Sequence, residues 1–470
     1  MEEEGSRKIR RKKLRKEKSK FDRVLSQKDV LAMSFGAMIG WSWIVMTGDW
    51  IQTAGTLGAI IAFLIGGLMV IFVGLTYAEL TSAMPKAGGE MVFSKRALGR
   101  NISFICTWSI ILGYISVVAF EAVALPTVVE YLFPNYVQGY MYTIAGYDVN
   151  LTWVLVGMVS SIIMTIVNYI GIKPAAFMQS IFTTLIIVVG LIFLFGAFGN
   201  GTVDNVEPLF IDGSKGVLSV AVMTPFLFVG FDVIPQVAEE INMPFKKIGR
   251  ILIISILVAI FWYCMIIFGV SLALDDAQIN ASSLVTADAM KSVFFNSNFA
   301  SKVMVVAGIA GIISSWNSFF VGGSRAIYAM AEEKMLPGFL AKLHPKYNTP
   351  TNAILLVGII TTLAPLLGRK MLNWLMNAGG FTVVLAYMIV VISFLVLRKK
   401  EPNMARPYKI KNGMIIGVIA IILCLFLFIL YMPGSPSALM WPYEWGIIFV
   451  WELIGIIFFF WARSIYKVKG

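Results

Sequence analysis

Long apolar runs separated by short polar breaks dominate the chain. They predict twelve membrane-spanning helices near residues 29–53, 56–83, 101–132, 150–169, 175–198, 216–238, 249–274, 300–329, 352–368, 377–397, 413–432 and 441–463. Runs of roughly 20 residues suit helices, whereas barrel strands would alternate over about ten. Hydrocarbon offers no partner to an exposed backbone, so the predicted fold class is an all-α integral membrane protein. Two runs carry helix-weakening residues at their centres. In SFGAMIGWSWIVMTGD (34–49), Gly36 and Gly40 stand four apart and polar Ser42 lies between two tryptophans. In TPFLFVGFDVIPQVAEE (224–240), Gly230, Asp232 and Pro235 interrupt the sixth run at the equivalent place five helices later.

Small residues four apart also serve as a close-packing face. Paired interruptions in corresponding halves, however, are the sign of an inverted-repeat transporter with its site at the bilayer midplane. On that reading the chain divides into a tail (1–28), a first repeat of helices 1–5 (29–199), a second repeat of helices 6–10 (200–397), and helices 11–12 with a short C-terminal segment (398–470).

Composition and charge agree with a membrane protein. Of 470 residues, 58% are hydrophobic and 14% charged, and the mean hydropathy of +0.82 excludes a soluble domain. With the N-terminus inside, only Lys215, Lys291, Lys302, Arg369 and Lys370 of the 38 Lys and Arg residues fall outside, so both termini are expected to be cytoplasmic in a multi-pass cell-membrane protein. The run RKIRRKKLRKEKSK (7–20) reads as a topology signal that also contacts anionic lipid, in preference to a nucleic-acid tail. No cleavable leader is expected before the first span. Cys106, Cys264 and Cys424 fall inside spans without metal-type spacing and read as free thiols.

Unwinding a helix frees N–H groups at the start of one half and carbonyls at the end of the other, beside opposite ends of the helix dipole. Such a pair of breaks suits a zwitterion. A carboxylate is expected on the amides of Gly40, Trp41 and Ser42, and an ammonium on the carbonyls of Ile39, Phe226 and Val229.

Four stretches then resemble the amino acid/polyamine/organocation (APC) superfamily: GAMIGWSWI (36–44), YAELTSAMPKAGGEMVFSKRALG (77–99), FLFVGFDVIPQVAEEINMPFKKI (226–248) and SRAIYAMAEEKMLPGFLAKLHPKYNTP (324–350). The resemblance covers about residues 25 to 400. It implies two inverted five-helix repeats plus two further helices, and transport of amino acids or related amines by alternating access. The chain departs from the family at Trp41 and Trp43, where small residues are usual; Trp43 is expected to narrow the site or reshape the loop. A fifth-helix lysine of some proton-coupled relatives aligns with Ile186 here, which leaves exchange, another proton site, or sodium. Ser314 and Ser315 match the eighth-helix hydroxyls of sodium-coupled relatives, although such serines also bond within or between helices. No cofactor is expected beyond H+ or Na+ as coupling ion.

Glu121 in the third span and Asp232 in the sixth are too costly to face lipid when charged. Each either binds a cationic group, carries a proton, or holds the broken helix as a hydrogen-bonder. By resemblance, Glu121 lines the pocket and Phe226 gates it; Gly230 stands at the sixth-helix break, and Tyr114 and Phe319 are weaker lining candidates. Glu79, Glu239 and Glu240 with Arg325, Lys95 and Arg96 are expected to form an inner network of ion pairs. Asp49 reads as an outer gate or a solvated helix end, and His344, the only histidine, is poorly placed for proton relay. No phosphate loop, paired histidines or catalytic domain is present, so the chain reads as no enzyme and lacks an ATP motor. The expected partners are a small-molecule amino acid or amine, the lipid bilayer, no nucleic acid, and either a monomer or a homodimer. A polyamine or organic-cation exchanger, a channel and a non-transporting nutrient receptor are the rival readings, the channel disfavoured because only isolated acids occur in the spans.

Overall fold

A reciprocal cap starts the first helix: the Ser26 hydroxyl faces the Asp29 N–H while the Asp29 carboxylate accepts the Ser26 N–H at 2.9 Å. The computed structural model describes residues 21–282, 284–435 and 437–466. The basic run at 7–20 and the last two lysines, Lys467 and Lys469, lie outside the described residues.

The first crossing is assembled from α1 (Gln27–Met38), α2 (Ser42–Val45) and α3 (Thr47–Ala54). The second is α4 (Thr56–Ala83), followed by the connecting helix α5 (Gly89–Leu98) and the third crossing α6 (Arg100–Leu132). Strands β1 (Tyr140–Ile144) and β2 (Tyr147–Asn150) then form an antiparallel hairpin, which apolar periodicity did not signal. Its two-residue turn holds Ala145 and Gly146 at φ of 50° and 82°, the geometry that matches strand twist.

Crossings four and five are α7 (Leu151–Ile170) and α8 (Ile172–Asn200). The sixth is split into α9 (Gly213–Ala221), α10 (Thr224–Phe228) and α11 (Val233–Gln236). The seventh is α12 (Phe245–Ala273), and after short helices α13 (Asp276–Ala281) and α14 (Val285–Val293) the eighth is α15 (Asn298–Glu332). The remaining crossings are the short α16 (Thr351–Leu363), then α17 (Met371–Lys400), α18 (Gly413–Leu430) and α19 (Tyr443–Tyr466). Ten helices among the described residues are long and apolar enough to span a membrane. The broken first crossing and the short ninth bring the arrangement to the twelve that hydrophobicity predicts.

Glycine lets the helices approach where hydrocarbon supplies no hydrophobic drive. A Cβ on Gly113 of α6 would lie 2.5 Å from Val383 of α17, and one on Gly67 of α4 would lie 2.8 Å from Ile260 of α12. The third crossing is almost wholly enclosed, whereas α19 turns Phe449, Leu453, Ile456 and Phe460 outward. Trp108 and Trp451 fasten α19 to α6. Their rings stack at 4.3 Å, and each indole N–H donates to the other's carbonyl at 3.0 Å.

Candidate functional site

The two helix breaks meet at the centre of the bundle. Ile39 makes the last backbone bond of α1, to the Phe35 carbonyl at 3.0 Å, and among the described residues neither Gly40 nor Trp41 donates to a backbone carbonyl. On the facing break, Gly230 adopts φ 136°, and a Cβ there would lie 2.7 Å from Ala37 and 2.9 Å from the Met38 nitrogen. Only glycine meets both the conformation and the contact. The Gly230 N–H, which a continuous helix would direct to the Phe226 carbonyl, donates instead to Asp232 Oδ1 at 2.7 Å. The other Asp232 oxygen accepts the Tyr114 hydroxyl at 2.9 Å. Both oxygens are therefore committed to protein groups, in the geometry of a residue that positions the break.

Glu121 reaches the first break from α6 and is 2% exposed. Its Oε1 lies 2.5 Å from where a Gly40 Cβ would be, beside the Trp41 N–H and the Ser315 hydroxyl. Its Oε2 is buried with no hydrogen-bond partner. On the eighth crossing, Gly311 abuts the Gly40 carbonyl and Gly308 receives the Trp41 ring, so small residues on α15 bring the unwound strand into contact. Ile39 and Val229 are buried at their breaks. Phe226 packs edge-on against Phe120 at 5.8 Å, and Phe319 lies 5.6 Å from Tyr114.

Ser42 and its neighbour Trp43 both pack against α12. Ser42 shares a hydrogen bond with Tyr263 at 3.1 Å, and Tyr263 in turn donates to the Met38 carbonyl at 2.7 Å. The expectation that Trp43 narrows the site is corrected by its packing: its ring lies edge-on to Trp262 of α12 at 5.4 Å. Trp262 also fills the space above Gly190, so Trp43 joins an aromatic wedge between helices.

Ser314 belongs to a second polar cluster. Gln179 of α8 donates to Ser314 Oγ at 2.6 Å and to the Ala32 carbonyl at 3.2 Å, while Thr183 donates to the same carbonyl at 3.2 Å. Asn317 donates to the Gln179 carbonyl oxygen at 3.1 Å and receives an amide hydrogen from Asn168 at 3.2 Å. An uncharged amide thus bridges the first, fifth and eighth crossings. Ile186 lies two turns beyond Gln179 on the fifth helix and is buried. Ser315 is drawn the other way, towards Glu121.

Ion pairs close the N-terminal face. Arg325 donates to Glu240 at 2.9 Å with the two side chains 1% and 4% exposed, and Arg398 and Arg406 share Glu79. Lys95 pairs with Glu333, and Arg96 with Glu401, whose carboxyl these hydrogen bonds hold below the usual carboxylate range. Glu239 accepts the Ala87 N–H at 3.3 Å. Asp49 is exposed, and His344 stacks on Tyr347 at 4.6 Å. Among the described residues no His, Cys, Asp and Glu are grouped to hold a metal, and the cysteines are unpaired.

Gln179, Thr183 and Tyr263 were not singled out from the sequence. The four-residue spacing of Gln179 and Thr183 on an apolar span was the available signal, since it puts both on one helix face. Tyr263 carried none, because aromatics occur in most spans. Residues 25–460 match the amino acid permease family. The chain is 29% identical over 461 residues to the branched-chain amino acid permease of Bacillus subtilis, covering 93% of this chain and 92% of that one. It is 25% identical to the methylthioribose transporter of the same organism, covering 94% of each, and 26% identical to the mouse Asc-type amino acid transporter 1, covering 88% and 78%. A match over nearly the whole length makes this chain a member of the amino acid permease family within the APC superfamily.

Proposed function

We propose that the protein is a secondary active transporter of amino acids or related amines that works by alternating access. The observation that carries this reading is the junction of the two breaks, where the Gly40 N–H makes no backbone bond and the Trp41 N–H rests on Glu121, whose Oε2 is buried without a partner. An amino acid carboxylate docks on the amides, and its ammonium meets Glu121 and the freed Phe226 carbonyl. Residues 29–199 and 200–397 act as the two inverted units, the N-terminal face is cytoplasmic, and the Arg325–Glu240 and Glu79 pairs keep that face shut. Relatives named for branched-chain and other amino acids support the substrate class.

Uptake into proteoliposomes tests it. Saturable, gradient-dependent uptake of labelled amino acids is expected; specific binding without flux would identify a nutrient receptor instead. A second reading follows from the same Glu121 oxygen. Because Glu121 already sits on the Trp41 amide, a ligand with an ammonium but no carboxylate fits without displacing it. Preferential uptake of decarboxylated amines would select this organic-cation reading.

A further inference from the structure

On the C-terminal side of the sixth-crossing break, beside α11, lies a second acidic centre that none of the transport chemistry above uses. Glu90 sits in the first turn of α5, the helix connecting the second and third crossings, and is 0% exposed. One of its oxygens accepts a hydrogen bond from the Gln236 amide on α11; the other, Oε1, is buried without a partner. The backbone is pressed close here, since a Cβ on Gly89 would lie 3.0 Å from Pro235. Asp232, also 0% exposed, is the charged group that acts on it.

The groups around this pair are acids or neutral hydroxyls and thiols. Tyr77 faces Glu90 from α4, Cys106 and Tyr114 approach from α6, and Tyr387 faces Asp232 from α17, with Cys424 of α18 behind it. The Tyr77 hydroxyl is buried beside Glu90 and the Tyr387 hydroxyl beside Asp232. On α15 the packed cation Arg325 is taken by Glu240, and at the far end of α5 Lys95 is taken by Glu333. Among the described residues no Lys, Arg or His pairs with Glu90 or Asp232. Two carboxylates enclosed together without a cation repel and are poorly solvated, so such a pair retains a proton. Burial first, and then the Asp232 charge, push the Glu90 carboxyl well above the usual carboxylate range.

We propose that Glu90, held by Gln236 beside Asp232, is the proton-binding site that couples transport to a proton gradient. Its position supplies the coupling. Gln236 and Asp232 belong to the half-helix that must move when the N-terminal face opens, so opening withdraws the amide and admits water to Glu90. The carboxyl O–H then breaks, its proton passes to that water, and a carboxylate remains. When the central site opens to the other side, the Asp232 carboxylate takes a proton from the water admitted there and Glu90 receives it in turn, so that the enclosed pair again holds one proton.

The inference rests on the transport reading, and its test separates the two. Proteoliposomes of the full-length protein are given an external labelled mixture of the twenty amino acids and their decarboxylated amines, and uptake driven by an imposed pH gradient is compared with gradient-free exchange, with an internal pH dye recording proton entry. Wild-type protein is expected to accumulate label with accompanying protons. Glu90→Gln is expected to keep exchange within about two-fold while losing accumulation and flattening the pH profile, and Glu90→Asp to restore both. Wild-type uptake without proton entry, uptake that needs Na+ and ignores pH, or unchanged accumulation by Glu90→Gln would each overturn the proton site. Absence of any saturable wild-type uptake would instead remove the transport reading. The wild-type proton measurement stands even where Glu90→Gln does not fold.

Discussion

Glu121→Gln isolates the recognition of charge at the midplane. The substitution keeps the shape of the side chain and leaves a carbonyl oxygen to accept from the Trp41 N–H and the Ser315 hydroxyl. What it removes is the unpartnered buried Oε2, replacing an acceptor with an NH2 group that repels an ammonium. A hydrogen bond to a charged partner contributes about 1.5–3 kcal/mol. Its loss therefore weakens binding by about 10- to 150-fold, because each 1.4 kcal/mol is a factor of ten. The assay is equilibrium binding to purified protein, each amino acid being compared with its decarboxylated amine. Amines have no carboxylate anchor and are expected to lose more than amino acids. Thermal stability of the ligand-free variant is expected to change little, since the retained carbonyl satisfies the break. Equal affinity of wild type and variant for both ligand sets would refute the placement of the ammonium.

Four further predictions follow from the same geometry. Gly40→Val drives a side chain into Glu121 Oε1 and Ser315, and should abolish ligand-induced thermal stabilisation while the protein remains extractable; undiminished saturable uptake would displace the site from this break. Gly230→Ala meets both a positive φ and the Ala37–Met38 backbone, so strain of about 1–3 kcal/mol and overpacking of a similar size should lower the melting temperature and stop transport. Glu240→Gln leaves Arg325 buried and unpaired at a cost of about 3–5 kcal/mol, which should expose introduced cysteines on the N-terminal face to a thiol reagent; unaltered labelling would show that the pair is no gate. Gln179→Leu removes the amide that joins Ser314 to the Ala32 carbonyl and strands buried polar groups at a cost of about 1–3 kcal/mol, which should lower the melting temperature; an unchanged melting temperature would show that this cluster does not hold the helices together.

The length and spacing of the apolar runs determined the all-helical membrane fold and most crossings, because the bilayer imposes its thickness on every span. Gly40, Gly230 and Asp232 also announced the two breaks, since helix-weakening residues at mid-span are rarely placed without cause. Glu121 was legible as a buried acid for the same reason. The hydrophobic pattern could not assign directions, however: in spans apolar on nearly every face, periodicity does not tell which side meets lipid. Only the folded chain turned Trp43 towards Trp262, 219 positions away, and Ser42 towards Tyr263. It also set Gln179 against Ser314 and closed Gln236 over Glu90, pairs whose members lie 135 and 146 positions apart. Such contacts are fixed by where crossings pack in three dimensions, so the tertiary structure decided which polar groups face the site and which hold the helices around it.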